Sequence, residues 1–259
     1  MSGYAFAGSR GGLLFERNLM VYRRTWLTII SGFFEPVFYL FSMGIGLGHF
    51  VGRVPGPGGR LVDYSAFVAP ALLASAAMNG AMYDATNVFW KMKYNRVYDA
   101  VLSTPIGPAD VTAGETAWAL FRGFLYAVSF LLVATSLGLV ESDWGLLALP
   151  GALLIGFAFA GLGVAASTFM RTWHDFELLT LVQLPMFLFS ATFFPLSTYP
   201  HALQWVVRFS PLYHATQLLR GLNFGTVGWA QAADVAYLLA LGLLGVYIAQ
   251  RRLGRALLR

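Results

Sequence analysis

Cysteine is absent from the sequence, and charged residues are scarce. Only 11% of the 259 residues are charged, whereas 58% are hydrophobic. Without cysteine the chain cannot form a disulfide, a zinc–thiolate site or a catalytic thiol. A soluble domain of this length needs far more charge to cover its surface, so the composition indicates a chain that lives in a lipid bilayer.

Lysine is also scarce, because Lys91 and Lys93 are the only two. An ATPase of the Walker type needs a lysine in the setting G-x-x-x-x-G-K-[ST], where the side chain reaches the nucleotide phosphates. Neither lysine lies in such a setting, since Trp90 precedes the first and Met92 precedes the second. The sequence therefore predicts no catalytic residues and no cofactor in this chain. If ATP and magnesium drive its work, a separate subunit must bind them.

The histidines and the basic residues do not indicate a metal site or a nucleic-acid surface. The four histidines, at positions 49, 174, 201 and 214, include no pair with H-x-x-x-H spacing, so no metal site is expected. The formal net charge is +5, but the basic residues form short clusters between apolar runs. That pattern orients membrane proteins and is not typical of a face that binds nucleic acid.

Six segments are long and apolar enough to cross a bilayer. The hydrocarbon core is about 30 Å thick, so a spanning helix needs roughly 20 mostly apolar residues. The sequence shows neither an internal repeat nor a soluble domain, which predicts a single all-α transmembrane domain over residues 1–259. The predicted spans are residues 26–50, 64–90, 111–139, 145–170, 178–196 and 232–250.

The distribution of arginine and lysine predicts the orientation of these spans. Cytoplasmic loops of membrane proteins are enriched in both residues. Twelve of the 17 lie on one side, four lie on the other, and Arg122 falls inside the third span. The sequence therefore predicts a multi-pass membrane protein with both termini in the cytoplasm. The excess of arginine over lysine, 15 to 2, is typical of a GC-rich bacterial genome, so a bacterial cytoplasmic membrane is expected. The twelve are Arg10, Arg17, Arg23, Arg24, Lys91, Lys93, Arg96, Arg171, Arg251, Arg252, Arg255 and Arg259.

The segment before the first span, residues 1–25, is predicted to contain an amphipathic helix. Its charged residues fall away from one apolar arc, which is the pattern of a helix lying along the membrane surface. The alternative is that this segment is the frayed start of the first span. The residues of the arc are Leu14, Phe15, Leu19, Tyr22 and Trp26.

The cytoplasmic loop over residues 91–110 is predicted to form a short helix with an apolar edge. Thr104-Pro105 ends this helix, because proline disfavours helical geometry in the residue before it. Such an edge is suited to dock into the groove of another protein, while the alternative is a solvated loop helix. The apolar edge consists of Val97, Tyr98, Val101 and Leu102.

The outer loop over residues 197–229 is too apolar for an ordinary linker. Pro200 and Pro211 each follow residues that suit a helix cap, and proline is favoured in the first helical turn. Two short helices are therefore predicted, at about residues 200–209 and 211–222. A helical hairpin that dips into the outer leaflet would satisfy their backbone and bury their apolar side chains.

Four charged residues lie within the predicted spans: Glu35, Asp84, Glu115 and Arg122. An unpaired charge there costs several kcal/mol or finds a partner. At about 1.5 Å per residue, Glu35 lies roughly 13 Å above the start of the first span, and Arg122 lies at a comparable depth in the third. We therefore predict a Glu35–Arg122 ion pair. The alternative is that Glu35 contacts the substrate.

Several segments resemble the type-2 ABC exporter permeases, and within them the exporters of nodulation factors (lipooligosaccharides) and antibiotics. The resemblance covers nearly the whole chain in the order of the predicted spans. Its segments are residues 35–41, 44–48, 64–71, 96–102 with Pro105, Gly114-Glu115, 192–196, and Pro200 with Pro211-Leu212.

The resemblance implies an ATP-driven exporter assembled from several chains. Two permease chains would pair, as a homodimer or with a sister permease, and two copies of a separate ABC ATPase subunit would bind ATP and magnesium below them. An amphipathic substrate, a lipid-linked saccharide or a drug-like molecule, would pass between the permeases. The residues implied in ATPase coupling are Arg96, Tyr98, Asp99, Val101, Leu102 and Glu115, and those implied in the outer hairpin are Pro195, Pro200 and Pro211.

Two other classes of membrane protein are the alternatives. A lipid-modifying enzyme would need acids or histidines clustered at one interface, whereas the acids here are scattered along the chain. An ion-coupled secondary carrier usually has more spans, with broken helices in repeated halves. Co-purification with an ATPase subunit would separate all three.

Overall fold

The computed structural model describes residues 10–23, 34–172 and 174–257. These residues form ten helices and one short β-hairpin, so the chain is mostly helical. The helices are α1 (Arg10–Tyr22), α2 (Phe34–Val51), α3 (Tyr64–Lys93), α4 (Val97–Leu102), α5 (Pro108–Ser136), α6 (Asp143–Ser167), α7 (Asp175–Phe189), α8 (His201–Phe209), α9 (Pro211–Phe224) and α10 (Trp229–Leu257). The strands are β1 (Arg53–Pro55) and β2 (Leu61–Asp63).

Five of these helices are long and apolar enough to cross a membrane: α2, α3, α5, α6 and α10. Helices α3, α5 and α6 begin and end within three residues of the predicted bounds, whereas α10 begins three residues before and ends seven residues after its predicted bounds. The described part of the first predicted span begins at Phe34, and its middle, Leu40–Leu47, is π-helical. The predicted multi-pass membrane protein is thus confirmed for these helices.

The fifth predicted span differs from the structure. Helix α7 has only 15 residues and ends at Phe189, so it is about 22 Å long against a hydrocarbon core of about 30 Å. Polar side chains turn the chain at this point, since the Ser190 hydroxyl donates to the Met186 carbonyl and the Thr192 hydroxyl to that of Phe187. The prediction that the helix continues to residue 196 is wrong.

Helix α3 forms the centre of the molecule and packs against α5, α6 and α9. It approaches α5 most closely where two glycines meet. A Cβ atom on Gly80 would lie 2.8 Å from the Gly123 Cα, and one on Gly123 would lie 2.8 Å from the Ala77 carbonyl oxygen. Small residues permit such approach between membrane helices. This crossing fixes which side chains of α3 and α5 can meet.

The loop between α2 and α3 contains a β-hairpin that the sequence analysis did not predict. Strands β1 and β2 are antiparallel, with Arg53 opposite Asp63. Gly58 and Gly59 have positive φ angles in the connection, as a tight turn requires. Arg60 forms an ion pair of 2.9 Å with Glu141 in the α5–α6 loop. The hairpin is therefore held against the next loop on that side.

A helix, α1, lies where the amphipathic N-terminal helix was predicted, although its inward face differs from the predicted arc. Leu14 and Asn18 are buried against α5, whereas Leu19 is exposed. The predicted arc member Trp26 lies outside the described residues. The face of α1 that packs on the rest of the chain is thus partly polar.

The two outer helices agree with the predicted bounds to within two residues. Pro200 immediately precedes α8, and Pro211 is the first residue of α9. Pro195 precedes a single 3-10 turn, Leu196–Thr198, which connects α7 to this pair. Helix α9 is largely buried, while α8 exposes Trp205 and two neighbouring apolar side chains.

Candidate functional site

Glu115, near the start of α5, is buried and binds three other side chains. Its Oε2 atom accepts from the Lys91 ammonium at 2.5 Å and from the Asn18 amide at 3.1 Å. Its Oε1 atom accepts from the Tyr98 hydroxyl at 3.0 Å. Lys91 also donates to the side-chain oxygen Oδ1 of Asn18 at 3.1 Å. A buried carboxylate is stable only when its charge and lone pairs are satisfied in this way. We call these four residues the Glu115 cluster.

Each member of the Glu115 cluster comes from a different helix. Asn18 belongs to α1, Lys91 to the end of α3, Tyr98 to α4 and Glu115 to α5. The chain reverses direction at Arg96, whose left-handed φ of 45° turns α4 back towards α5. The cluster therefore fastens the short helix α4 to the ends of two long helices.

Tyr98 is fully buried, and the structure corrects its predicted role as an anchor in another protein. Val97 and Val101 also pack on this chain's own core, and Leu102 is half-buried. Tyr98 lies on the one apolar face of this six-residue helix and is bonded to α5 through Glu115. Tyr98 is therefore an internal residue, whereas the other three members of the predicted docking edge, Val97, Val101 and Leu102, stay partly exposed. The exposed face of α4 consists of Arg96, Asp99, Ala100, Ser103 and Thr104.

The Tyr98 hydroxyl stays protonated at neutral pH. Burial, followed by the negative charge of Glu115, raises the pKa of Tyr98 well above its ordinary value of 10.0. A neutral hydroxyl is a donor, and the carboxylate opposite it is an acceptor. The link between α4 and α5 is therefore a hydrogen bond to a charged group, which is stronger than one between neutral groups.

A second buried cluster lies further along α3 and α5. The Arg122 Nη1 atom lies 3.0 Å from the Asp84 Oδ2 atom, and both side chains are almost fully buried. The Tyr126 hydroxyl accepts from Arg122 Nε and Nη2 at 3.1 and 2.9 Å. Tyr22 and Asn87 donate to Asp84 Oδ1 at 2.7 and 3.2 Å. We call these five residues the Arg122 cluster.

The predicted Glu35–Arg122 pair is wrong, because Arg122 pairs with Asp84. Equal depth in the membrane does not make two helices neighbours. The close crossing at Gly80 brings α3 against α5 and places Asp84, one turn further along α3, beside Arg122. Glu35 is exposed and forms no ion pair with any residue in the described part of the chain.

Glu35 instead lines a groove between α2, α3 and α7, with a volume of about 260 Å³. Four other polar side chains line it: Asn79, Tyr83, Thr180 and Gln183. The Gln183 Nε2 atom donates to the Asn79 Oδ1 atom at 2.7 Å. The Tyr83 ring lies under the Arg122 guanidinium, 4.6 Å from its carbon to the ring centroid. We call these five residues the polar groove.

The structure also gives Arg220 a role that the sequence analysis missed. Arg220 on α9 is buried, and its guanidinium donates to the Phe67 carbonyl at 3.1 and 3.2 Å and to the Ala191 carbonyl at 3.0 Å. It also stacks on the Phe67 ring at 3.7 Å. One side chain thus joins α9, the start of α3 and the end of α7. The signal in the sequence was a single arginine within an apolar segment.

Asn18 and Lys91 were missed as site residues for a similar reason. Lys91 was considered only for orientation and for a nucleotide site, and Asn18 was not singled out. Asn18 follows Leu14 by one helical turn, so the two share a face. A polar residue on the buried face of an amphipathic helix was the available signal.

Comparison with known proteins agrees with this architecture. The ABC-2 type transporter family matches residues 11–224. Nodulation protein J of Rhizobium leguminosarum bv. viciae is 34% identical over 245 residues, which cover 92% of this chain and 90% of that protein. Nodulation protein J of Rhizobium meliloti (strain 1021) is 32% identical over 247 residues, with 93% and 92% covered. The inner membrane transport permease YadH of Escherichia coli (strain K12) is 23% identical over 240 residues, with 91% and 88% covered. Because the family match takes in most of the chain, this protein belongs to the ABC-2 type transporter family.

Proposed function

We propose that this chain is the transmembrane subunit of a bacterial ABC exporter, driven by a separate ATPase subunit. The Glu115 cluster is the observation that carries the proposal. It ties α4, which leaves one face open to a partner, to α1, α3 and α5 at one end of the long helices. A force applied to α4 would therefore reach the spans directly.

The proposed topology has six crossings with both termini in the cytoplasm. Helix α7 is too short to cross alone, so the turn after it and the re-entrant pair α8–α9 complete the fifth crossing. Side-chain contacts support this arrangement. Lys91 meets Asn18, both from segments assigned to the cytoplasm, and Arg60 meets Glu141, both from loops assigned to the outer side. The bacterial cytoplasmic membrane is the proposed location.

The proposed partners are two copies of an ABC ATPase subunit and a second permease chain. The ATPase would bind ATP and magnesium, and it would contact the exposed face of α4. Here Arg96 and Asp99 supply charge of both signs beside the small residues Ala100 and Ser103. Two of the relatives are named nodulation protein J and a third is named a transport permease. We infer an amphipathic substrate, such as a lipid-linked saccharide or a drug-like molecule.

Pull-down of the ATPase subunit together with transport tests this proposal. Ala100→Arg adds a long charged side chain to the exposed face of α4 without touching the Glu115 cluster. We expect it to release the ATPase or to uncouple ATP hydrolysis from export. Thr172→Arg is the matched control, because Thr172 is exposed in the other short cytoplasmic loop. Unchanged binding and unchanged export in Ala100→Arg would contradict the proposed docking face.

A further inference from the structure

The polar groove lies beside an apolar surface that faces away from the core. On α2, Phe38 is 64% exposed, and on α7 Leu181 is 68% exposed. Both helices cross or enter the membrane, so these side chains face lipid, a second permease or a substrate. A polar pocket flanked by apolar helix faces complements an amphiphile, whose polar head group would bind in the pocket while its apolar tail packs along the helices.

The groove offers hydrogen-bonding groups that the described residues of the chain leave unused. After Gln183 donates to Asn79, the Asn79 amide still has N–H donors and the Gln183 oxygen can still accept. Tyr83 adds a hydroxyl, and the Thr180 hydroxyl, which donates to the Phe176 carbonyl at 3.3 Å, can still accept. The Tyr83 side chain is 62% exposed, although its ring is held against Arg122. Such a mixed set of donors and acceptors suits hydroxyl groups.

Glu35 gives the groove its only formal charge among the described lining residues. A carboxylate at this depth in a membrane is costly unless a partner or water stabilises it. It attracts ammonium groups, accepts hydrogen bonds from hydroxyls and repels phosphate. The volume of about 260 Å³ is slightly below the range of about 300–1,000 Å³ for drug-sized sites. It therefore suits one head group, while the rest of an amphiphile would lie along α2 and α7.

We propose that the polar groove binds the hydroxyl- or amino-bearing head group of an amphiphile, and that Glu35 excludes anionic head groups. This assignment rests on the proposed export function for its purpose, but binding requires only the permease chain. Glu35 is a specificity-determining residue in this proposal. Asn79, Tyr83, Thr180 and Gln183 supply the neutral hydrogen bonds.

The test measures binding of three probes with the same twelve-carbon chain to the full-length permease alone in lipid nanodiscs. The probes are dodecyl maltoside, dodecylammonium and dodecyl phosphate, each below its micellar concentration. Comparing variants with the same probe cancels differences in membrane partition. We expect Glu35→Gln to weaken dodecylammonium binding and to strengthen dodecyl phosphate binding, each by at least about tenfold, since unit charges a few Å apart interact this strongly in a protein.

Two further variants separate a head-group site from a general effect of charge. Glu177→Gln removes an exposed carboxylate from the first turn of α7, outside the groove, and we expect its affinities to stay within about twofold of wild type. Gln183→Glu adds a carboxylate to the groove, so it should shift both charged probes in the direction opposite to Glu35→Gln.

Three results would overturn the proposal. The first is that Glu35→Gln leaves the affinities unchanged. The second is that it shifts all three probes alike. The third is that it dissociates permease pairs with no change in probe binding, which would make Glu35 a contact between two copies. Because no ATPase subunit is present, failure of this test and failure of the proposed function are distinguishable.

Discussion

Replacing Glu115 by Gln should destabilise the protein more than any change at an exposed acid. The substitution keeps the size of the side chain and an oxygen that can accept from Tyr98. It leaves the Lys91 ammonium, whose side chain is only 13% exposed, without its carboxylate. Removing one partner of a buried ion pair typically costs about 3–5 kcal/mol. We expect a loss of that order in the free energy of unfolding.

Removing the second charge should recover most of this loss. In Glu115→Gln with Lys91→Met no buried charge remains unpaired, and the glutamine can still bond to Tyr98 and Asn18. Replacing a buried ion pair by uncharged groups is often close to neutral. The double variant should therefore be more stable than the sum of the two single variants predicts, by about 2–3 kcal/mol.

Denaturant unfolding of the purified permease measures these free energies of unfolding. ATP hydrolysis and export are then measured with the same variants assembled into the complex. Glu177→Gln is the matched control, because exposed positions usually change stability by less than about 0.5 kcal/mol. If Glu115→Gln costs no more than the control, or if the double variant equals the sum of the singles, the ion pair does not hold the cluster together.

Four further predictions follow from the other contacts. Asp84→Asn should cost about 3–5 kcal/mol of unfolding free energy, and adding Arg122→Gln should recover most of it; additivity in a double-mutant cycle would contradict the pair. Arg220→Met should lower the melting temperature by removing the hydrogen bonds from the guanidinium to the Phe67 and Ala191 carbonyls, since hydrogen bonds from a charged group contribute about 1.5–3 kcal/mol each, and an unchanged melting temperature would refute this. Pro211→Ala should reduce export more than ATP hydrolysis, because the turn lies far from α4; equal loss of both in transport and phosphate-release assays would count against it. Since the folded-state pKa of Tyr98 is raised, its contribution to stability should be complete below about pH 10 and fall as pH rises further, and Tyr98→Phe should flatten that decline in a pH series of unfolding measurements.

The long helices could be predicted from the sequence because their signal is one of composition over many residues. Helix α3 begins at the predicted residue, Tyr64, where the charge-bearing loop gives way to an apolar run. The starts of α8 and α9 were also predictable, because Pro200 immediately precedes α8 and Pro211 is the first residue of α9. The end of α7 was not, because residues 190–196 are mostly apolar and two isolated hydroxyls, of Ser190 and Thr192, do not by themselves mark a turn. The turn also depends on Arg220, which is distant in sequence.

The pairing of charged side chains could not be predicted, because it depends on which helices touch. Glu35 and Arg122 have comparable predicted depths in the membrane. The close crossing at Gly80 nevertheless brings α3 against α5, so Arg122 forms its ion pair with Asp84. The role of Tyr98 was misassigned for the same reason. The sequence of a loop helix with an apolar edge is the same whether that edge packs against its own chain or against a partner, so the sequence alone does not distinguish the two cases.

The two ion pairs between α3 and α5 also explain how α4 could act on the polar groove. Lys91 and Asp84 are seven residues apart on α3, as are Glu115 and Arg122 on α5, so the pairs lie about two turns, or about 10 Å, apart. In each helix the acid precedes the base, and because the two helices run in opposite directions, each acid lies beside the base of the other helix. A slip that placed Asp84 beside Glu115 would bring like charges together. This arrangement favours one register of α3 against α5, so we expect the two helices to move together. Tyr83 contacts Arg122 through its ring and also lines the polar groove, so it would move together with these helices. A displacement of α4 would then change the shape of the groove without any local unfolding.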